Sequence, residues 1–515
     1  MISFPGRTKE RLPSKRMVLI SNREPFSIRE TRQGHKLEKT VGGLVSALHP
    51  LMGDLHGTWI AWGPAEHEEG PSVKDLPPDL HPGYDLVKVR LSRREVINYY
   101  NEFSNRVLWP LFHSFIENCK FLPTSWLDYK RVNMKFAAAA IRHSRPEDFI
   151  WVQDYHMCLV PRYIRQERPH QDIAFFCHIP WPPPDVFRVL PWKEEILKGL
   201  LGANLLGFHT RRYVHNFLRS VQEILGIQVD HRRGIIYYRG LQVSVKAFPI
   251  GINWRMFEKM ANTPASIAQS QRLRQQIGIG SDTVIIGVDR LDYTKGIFRR
   301  LEAVGRFIEK YPRFRGQFTF IQIAVPSRTR VEEYRQMKQR IDEAVGRING
   351  RFSEHNWVPI RYLYRSFPLE KLVPFYLLGD IAMVTPLRDG MNLVAKEYVA
   401  SRSTQDGVLI LSEFAGAADY MDEALIVNPY DKEKVADVLR VAMEMPLEQQ
   451  VQWMDKLRAK VMKYDLDWWL NSIIRRATER PDLEGDEPVE EREPLPEFSD
   501  IWLRGRPAKK TVSAS

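Results

Sequence analysis

The chain has 515 residues, 43% of them hydrophobic, which is enough for at least two cores, since single domains usually run about 100 to 200 residues. Its three cysteines, Cys119, Cys158 and Cys177, make no Cys-x-x-Cys pair and no zinc spacing, so a disulfide framework or zinc ribbon is not expected and a reducing cytoplasm is. The formal charge of +12 is spread along the chain with no Arg-rich tract or nucleic-acid module, which points to anionic small molecules as partners rather than nucleic acid.

Residues 1–16, "MISFPGRTKERLPSKR", are basic but lack the apolar core of a signal peptide, and read as a flexible arm. No apolar stretch approaches the roughly 18 residues of a membrane span, so no membrane partner is expected. From Met17 onward, short β-branched and aromatic runs alternate with stretches of helical spacing: "MVLISN", "TWIAW", "DLVKVRL", "FIWVQD", "IAFFCHI" and "LLGFH". After the turn-rich "FPIGINW" the pattern restarts with "TVIIGVDR", "FTFIQIAV", "IRYLY", "IAMVTPL", "VLILSEF" and "ALIVN". Two such sets predict an α/β protein of two Rossmann-like, doubly wound lobes facing across a substrate cleft. We place the N-terminal lobe at 17–252, the C-terminal lobe at 253–464, and a helix at 465–479 that packs back on the N-terminal lobe. The acidic, proline-rich "PDLEGDEPVEEREPLPE" opens a tail, 480–515, expected to be disordered.

In open α/β sheets ligands bind beyond the carboxyl ends of the strands, so chemistry is sought in the residues that follow each run. These are "DRLDYTKG", "PSRTR", "TPLRDGMN", "HIPWPPP" and "QDYH". Arg290 and Lys295 flank a loop ahead of the helical "GIFRRLEAVGRFIEK", whose first turn offers free N–H groups and the positive end of a dipole. Surface charge is the ordinary reading of such a pair. Two cations beside a helix start also suit a diphosphate, each bond contributing about 1.5 to 3 kcal/mol. In "TPLRDGMNLVAKEYV" a helix beginning near Gly390 would bury Met391, Val394 and Tyr398 and leave Glu397 about two turns in. Asp389 then either caps that helix or faces a ligand that Gly390 lets approach.

"GVDRLDYTKGI", "VGRINGRF", "TPLRDGMNLVAKEYVA" and "GVLILSEFAGAA", with "VLWPLFH", "DYH" and "LLGFHT" upstream, closely resemble the trehalose-6-phosphate synthase family of retaining GT-B glycosyltransferases, family 20. The likeness runs from about residue 17 to 475. It implies an osmoprotective enzyme whose substrates are a nucleotide sugar, usually UDP-glucose, and glucose 6-phosphate, with no cofactor and no essential metal. Residue by residue, the resemblance gives the donor diphosphate to Arg290 and Lys295, the hydroxyls of the transferred glucose to Asp389, and the ribose to Glu397. Gly390, Met391, Asn392 and Leu393 would line the donor site, Gly43 in "VGGLVSAL" would sit in a loop closing over it, and His178 would bond the transferring sugar. Arg290, Lys295, Asp389 and His178 are thus the catalytic set. The acceptor would meet Arg23, Trp62, Tyr100, Trp109, Asp154 and Arg328.

The family is thought to retain configuration by front-face attack, a leaving phosphate oxygen taking the acceptor's proton. No carboxylate pair of the glycosidase type is evident, so catalysis would rest on positioning and on charge stabilisation of the diphosphate. The one Asp-x-Asp, at Asp465 and Asp467, reads as a helix cap rather than a metal site. "GIGSDT" precedes its strand, the wrong order for a dinucleotide fingerprint, and there is no Walker-type loop. Glu24, Gln153 and Trp181 stand where the family usually has an apolar residue, a histidine and a phenylalanine. The "REP" start and "GTWIAW" resemble a sister branch, the glucosylglycerol-phosphate synthases, which use glycerol 3-phosphate and often ADP-glucose. A pseudo-glycosyltransferase coupling cyclitols is the other alternative. The sequence decides neither the nucleotide nor whether the chain forms a homo-oligomer.

Overall fold

The computed structural model of the protein describes residues 16–31, 34–39, 48–49, 51–53, 55–62, 82–278, 280, 282–327 and 332–478. The first half supplies strands β1 (Met17–Arg23), β2 (Phe26–Thr31), β3 (Gly34–Lys39), β4 (Thr58–Trp62), β5 (Asp85–Lys88), β6 (Phe149–Gln153), β7 (Asp172–Phe176), β8 (Leu205–Phe208), β9 (Val229–Asp230), β10 (Ile235–Tyr238) and β11 (Leu241–Ala247). Apart from the β2–β3 hairpin, these form one sheet in the order β5-β4-β1-β6-β7-β8-β11-β10-β9. Every pairing from β5 to β11 is parallel. The reason is visible in the runs themselves: β4, β6 and β8 are buried at every position, as strands covered by helices on both faces must be.

The second half supplies β12 (Thr283–Arg290), β13 (Phe318–Val325), β14 (Ile360–Leu363), β15 (Ile381–Val384), β16 (Val408–Ser412) and β17 (Leu425–Val427). They form a wholly parallel sheet ordered β14-β13-β12-β15-β16-β17. In each sheet the strand order reverses once beside the first strand, between β1 and β6 and again between β12 and β15. Those reversals are where a doubly wound sheet opens its crevice.

Besides β2, β3 and β11, which none of the runs marked, two features go beyond what the sequence pattern predicted. β9 and β10 extend the first sheet by antiparallel pairing, and residues Val96–Leu108 form a π-helix. The wider π turn leads straight into Trp109 and carries Tyr99 and Tyr100.

The halves are joined by the segment 248–253 and by the last described helix, Leu466–Thr478. Trp469 of that helix lies with its ring 5.3 Å from Trp151 of β6 and 5.1 Å from Phe176 of β7. Its start is tied to the linker by a Leu466 N–H bond to the Ile252 carbonyl at 3.2 Å. Gly251 is required there, because any Cβ would run into the Asp465 backbone. One buried cluster passes from Leu19 and Trp151 through Phe248, Ile250 and Trp469 to Ile286 and Tyr398, so apolar burial as well as chain connectivity holds the halves together.

Candidate functional site

β12 ends on Arg290, and the chain turns through Asp292, whose Oδ1 accepts from the Thr294 N–H at 3.1 Å. Gly296 follows at φ 68, with the Thr385 carbonyl against the place of its missing side chain, and the helix Ile297–Lys310 begins. This puts Lys295 under the loop that follows β15. Its Nζ donates to Asp389 Oδ2 at 2.5 Å, and both side chains are only 13% exposed. Asn392 also donates to Asp389 Oδ2, at 3.0 Å, while its own Oδ1 accepts from the Ala395 N–H and caps the helix Leu393–Ser401. Asn392 has φ 72, a conformation rare for a residue with a side chain and characteristic of functional loops. The helix therefore starts three residues later than Gly390, Asp389 is not its cap, and Glu397 lies one turn in rather than two. Glu397 accepts from the Tyr376 hydroxyl at 2.8 Å, and burial pushes its carboxyl above the usual range.

The opposing wall comes from the ends of β6 and β7. Asp154, directly after β6, has φ 71 and ψ 166, a region that only glycine occupies readily. Its Oδ1 accepts from the N–H groups of Tyr155 at 3.0 Å and His178 at 3.1 Å. Burial nevertheless raises its carboxyl to about 7, with these N–H groups and the Arg290 charge opposing. The His178 ring bonds Gln153 through Nε2 at 2.9 Å and lies 4.7 Å from Phe176, 5.5 Å from His209 and 6.0 Å from Trp469. Burial, then His209, hold its imidazolium pKa well below the ordinary value, so the ring is neutral. The lobes meet here: a Cβ on Gly390 would strike the His178 carbonyl, and the Tyr213 hydroxyl donates to the Asp389 carbonyl at 3.0 Å. Behind them Lys396, 2% exposed, donates to the Ile250 carbonyl at 2.7 Å, and burial lowers its ammonium to about 7.

A third group lies at the end of β1. Arg23 donates to the Tyr100 hydroxyl at 3.0 Å, and its guanidinium lies 4.9 Å from that ring. Trp62 stands 6.1 Å from Tyr100 and is oriented by its Nε1–H bond to Asn22 Oδ1 at 2.8 Å. Trp109 is held by His113, whose Nδ1–H donates to the Trp109 carbonyl at 2.7 Å. Burial lowers His113 to about 4, so this buried ring is a neutral brace. Arg290 reaches across from β12 to within 5.6 Å of the Trp109 ring. One cation thus stands over an aromatic wall of the other lobe and acts on the Asp154 carboxyl.

This geometry is that of a cleft between two Rossmann-like sheets with cations at the switch point of the second. The family model described as "Glycosyltransferase family 20" matches residues 15–479. The chain belongs to glycosyltransferase family 20. The trehalose-6-phosphate synthase of Mycolicibacterium smegmatis is 40% identical over 466 residues, covering 89% of this chain and 91% of its own. The bifunctional trehalose-6-phosphate synthase/phosphatase of Thermoproteus tenax is 40% identical over 486 residues, covering 91% of this chain, which spans 65% of that relative's length. Among solved structures, the E. coli protein bound with UDP-2-fluoro glucose superposes with a TM-score of 0.82 at 32% identity, covering 91% of this chain and all of that one. The α/β fold is thus the two-lobed GT-B architecture expected from the sequence.

In this family 20 chain the donor-side residues predicted from sequence gather in one place: Arg290, Lys295, Asp389, Gly390, Met391, Asn392, Leu393 and Glu397 lie at the end of β12, in the turn after it, in the loop after β15 and on the helix that loop opens. His178 faces them from β7. Of the acceptor-side residues, Arg23, Trp62 and Tyr100 are mutual neighbours, Trp109 connects to Tyr100 through the rings of Tyr155 and His156, and Arg290 meets both Trp109 and the Asp154 charge. Gly43 and Arg328 lie outside the described residues. Sequence reasoning gave Lys295 and Asp389 separate duties, whereas the structure pairs them. It also passed over Lys396, a lysine between two recognised motif positions whose full burial no local pattern announces. Among the described residues no group of three or more His, Cys, Asp or Glu is placed to hold a metal, and no helix is long and apolar enough to cross a membrane.

Proposed function

We propose that the chain transfers glucose from UDP-glucose to glucose 6-phosphate with retention, giving α,α-trehalose 6-phosphate and UDP. The observation that carries this reading is the convergence of Arg290, the Lys295–Asp389 pair and His178 at one inter-lobe crevice. The donor identity draws on the E. coli neighbour with its UDP-2-fluoro glucose. The acceptor follows from the relatives' product, since trehalose 6-phosphate less the transferred glucose is glucose 6-phosphate.

In this reading Lys295 and Arg290 hold the diphosphate. An ammonium has three donors, so Lys295 can keep Asp389 fixed while serving a phosphate oxygen. Asp389, oriented by Lys295 and Asn392, accepts from hydroxyls of the transferred glucose, and Glu397 accepts from the ribose. As the glycosidic bond to UDP breaks, negative charge grows on the leaving phosphate oxygen and is stabilised by the two cations. That oxygen takes the proton of the acceptor hydroxyl, which attacks from the same face, so configuration is retained. The acceptor phosphate meets Arg23 and Arg328, and its sugar lies against Trp62, Tyr100 and Trp109, with Asp154 toward its hydroxyls. Lobe boundaries near 252 and 464 complete the reading.

Buried Glu24, next to Arg23 in the chain where the usual pattern has an apolar residue, forms an ion pair with Lys88 at 3.2 Å, and burial holds its carboxyl above the ordinary value. Release of UDP from UDP-glucose should be measured with glucose 6-phosphate and with glycerol 3-phosphate. Faster release with the first supports the proposal. Release with glycerol 3-phosphate alone transfers the chain to the glucosylglycerol-phosphate branch.

A further inference from the structure

Gln153 is the last residue of β6 and is completely buried. Its Oε1 lies 2.9 Å from His178 Nε2, while its own amide Nε2 makes no hydrogen bond among the described residues. A buried amide donor left unpaired costs stability, and an apolar side chain of similar size would avoid that cost. Packing therefore does not explain a glutamine here. What it does provide is one neutral acceptor aimed at one ring nitrogen.

The adjoining residue acts on the same target. Asp154 Oδ1 accepts the backbone N–H of His178, so two consecutive residues at the end of β6 hold the backbone and the ring of the histidine at the end of β7. The rest of the ring's surroundings carry little charge: Phe176 and Trp469 are apolar, and His209, 5.5 Å away, is itself neutral because burial lowers it to about 3. The Lys396 charge acts on His209. Among the described residues Asp154 is the one carboxyl bonded to this residue, and it engages the backbone rather than the ring.

We infer that Gln153 is a positioning residue which accepts the Nε2 proton of His178 and so fixes it as a neutral Nε2–H imidazole whose Nδ1 is an acceptor. A carboxylate in the same place would favour the imidazolium, in which both nitrogens donate and none can accept a sugar hydroxyl. A methionine would leave the tautomer unspecified. The inference rests on the proposed reading of His178 as the residue that meets the transferred sugar.

The test uses the full-length protein with 15N-labelled histidine, the His178 signals being assigned by their loss in His178→Asn. In the parent, His178 should show the neutral Nε2–H pattern from about pH 6 to about pH 8. Gln153→Met should give mixed tautomers and a kcat about tenfold lower with the acceptor KM little changed, the scale of one lost hydrogen bond. Gln153→Glu should show an imidazolium near neutrality, with kcat recovering as pH rises and the ring loses its proton. A Gln153→Met protein that keeps the parental tautomer overturns the inference, whatever its thermal stability. Should the tautomer shift as described while the parent shows no glucosyl transfer, the reading of the site fails and the role of Gln153 stands.

Discussion

Lys295 and Asp389 form a 2.5 Å charged contact in the crevice, with both side chains largely out of water. Breaking such a pair from one side leaves the other charge uncompensated, so Lys295→Ala should cost more than a lost phosphate contact. We expect kcat/KM for the donor to fall at least a hundredfold, against roughly ten- to a hundredfold for Arg290→Ala, both read from initial rates of UDP release. Asp154 supplies a pH dependence. Its carboxyl is raised from the ordinary 3.8 to about 7, so between these values the folded protein binds more protons than the unfolded chain. This group therefore costs stability as pH rises through that window, and Asp154→Asn should flatten the fall of Tm between about pH 4 and about pH 7. Acceptor use should follow the opposite course in the parent, improving as the carboxylate forms near pH 7, and should lose that limb in the asparagine variant.

At the level of elements, the loop after β15 is the piece that must sit correctly. Gly390 abuts the His178 carbonyl, and the Asp389 N–H and carbonyl are pinned to Phe414 and Gly416 at 3.1 and 3.2 Å. Gly390→Ala should push the loop off the β7 end; a folded protein with a Tm a few degrees lower and severely reduced kcat is the expected outcome, checked by calorimetry beside the rate assay. This loop also shows what the sequence could reveal. Strand runs such as "TVIIGVDR" are continuous apolar stretches because both faces are covered, so β12, β13 and the other strands of the second sheet were legible from pattern alone. The helix start was misplaced because capping depends on a backbone angle, φ 72 at Asn392, that residue identity does not announce. β9 and β10 and the π-helix escaped for a related reason: their pairings and wider turn are set by tertiary neighbours rather than local periodicity. The same holds for Lys396, whose partner, the Ile250 carbonyl, lies 146 residues away in the chain.

Across the molecule, two lobes are held by a shared core, a returning helix and a few polar ties. Glu333 accepts from Arg106 at 3.1 Å and Lys120 at 3.2 Å, joining the helix Glu332–Phe352 of the second half to the π-helix region of the first. Both bonds are partly exposed, so each is worth about 0.2 to 1 kcal/mol. Glu333→Ala should then raise KM for both substrates by up to roughly fivefold with kcat nearly unchanged, the effect shrinking at high salt. The central claim is that this cleft passes glucose from a nucleotide to a sugar phosphate with its configuration kept. The measurement that addresses it most directly is proton NMR of the product from UDP-glucose and glucose 6-phosphate, with Lys295→Ala as control. The account predicts a phosphorylated disaccharide with both anomeric centres α, formed with UDP in equal amounts by the parent and barely at all by the variant. A β linkage, or no product while another acceptor consumes UDP-glucose, would contradict it.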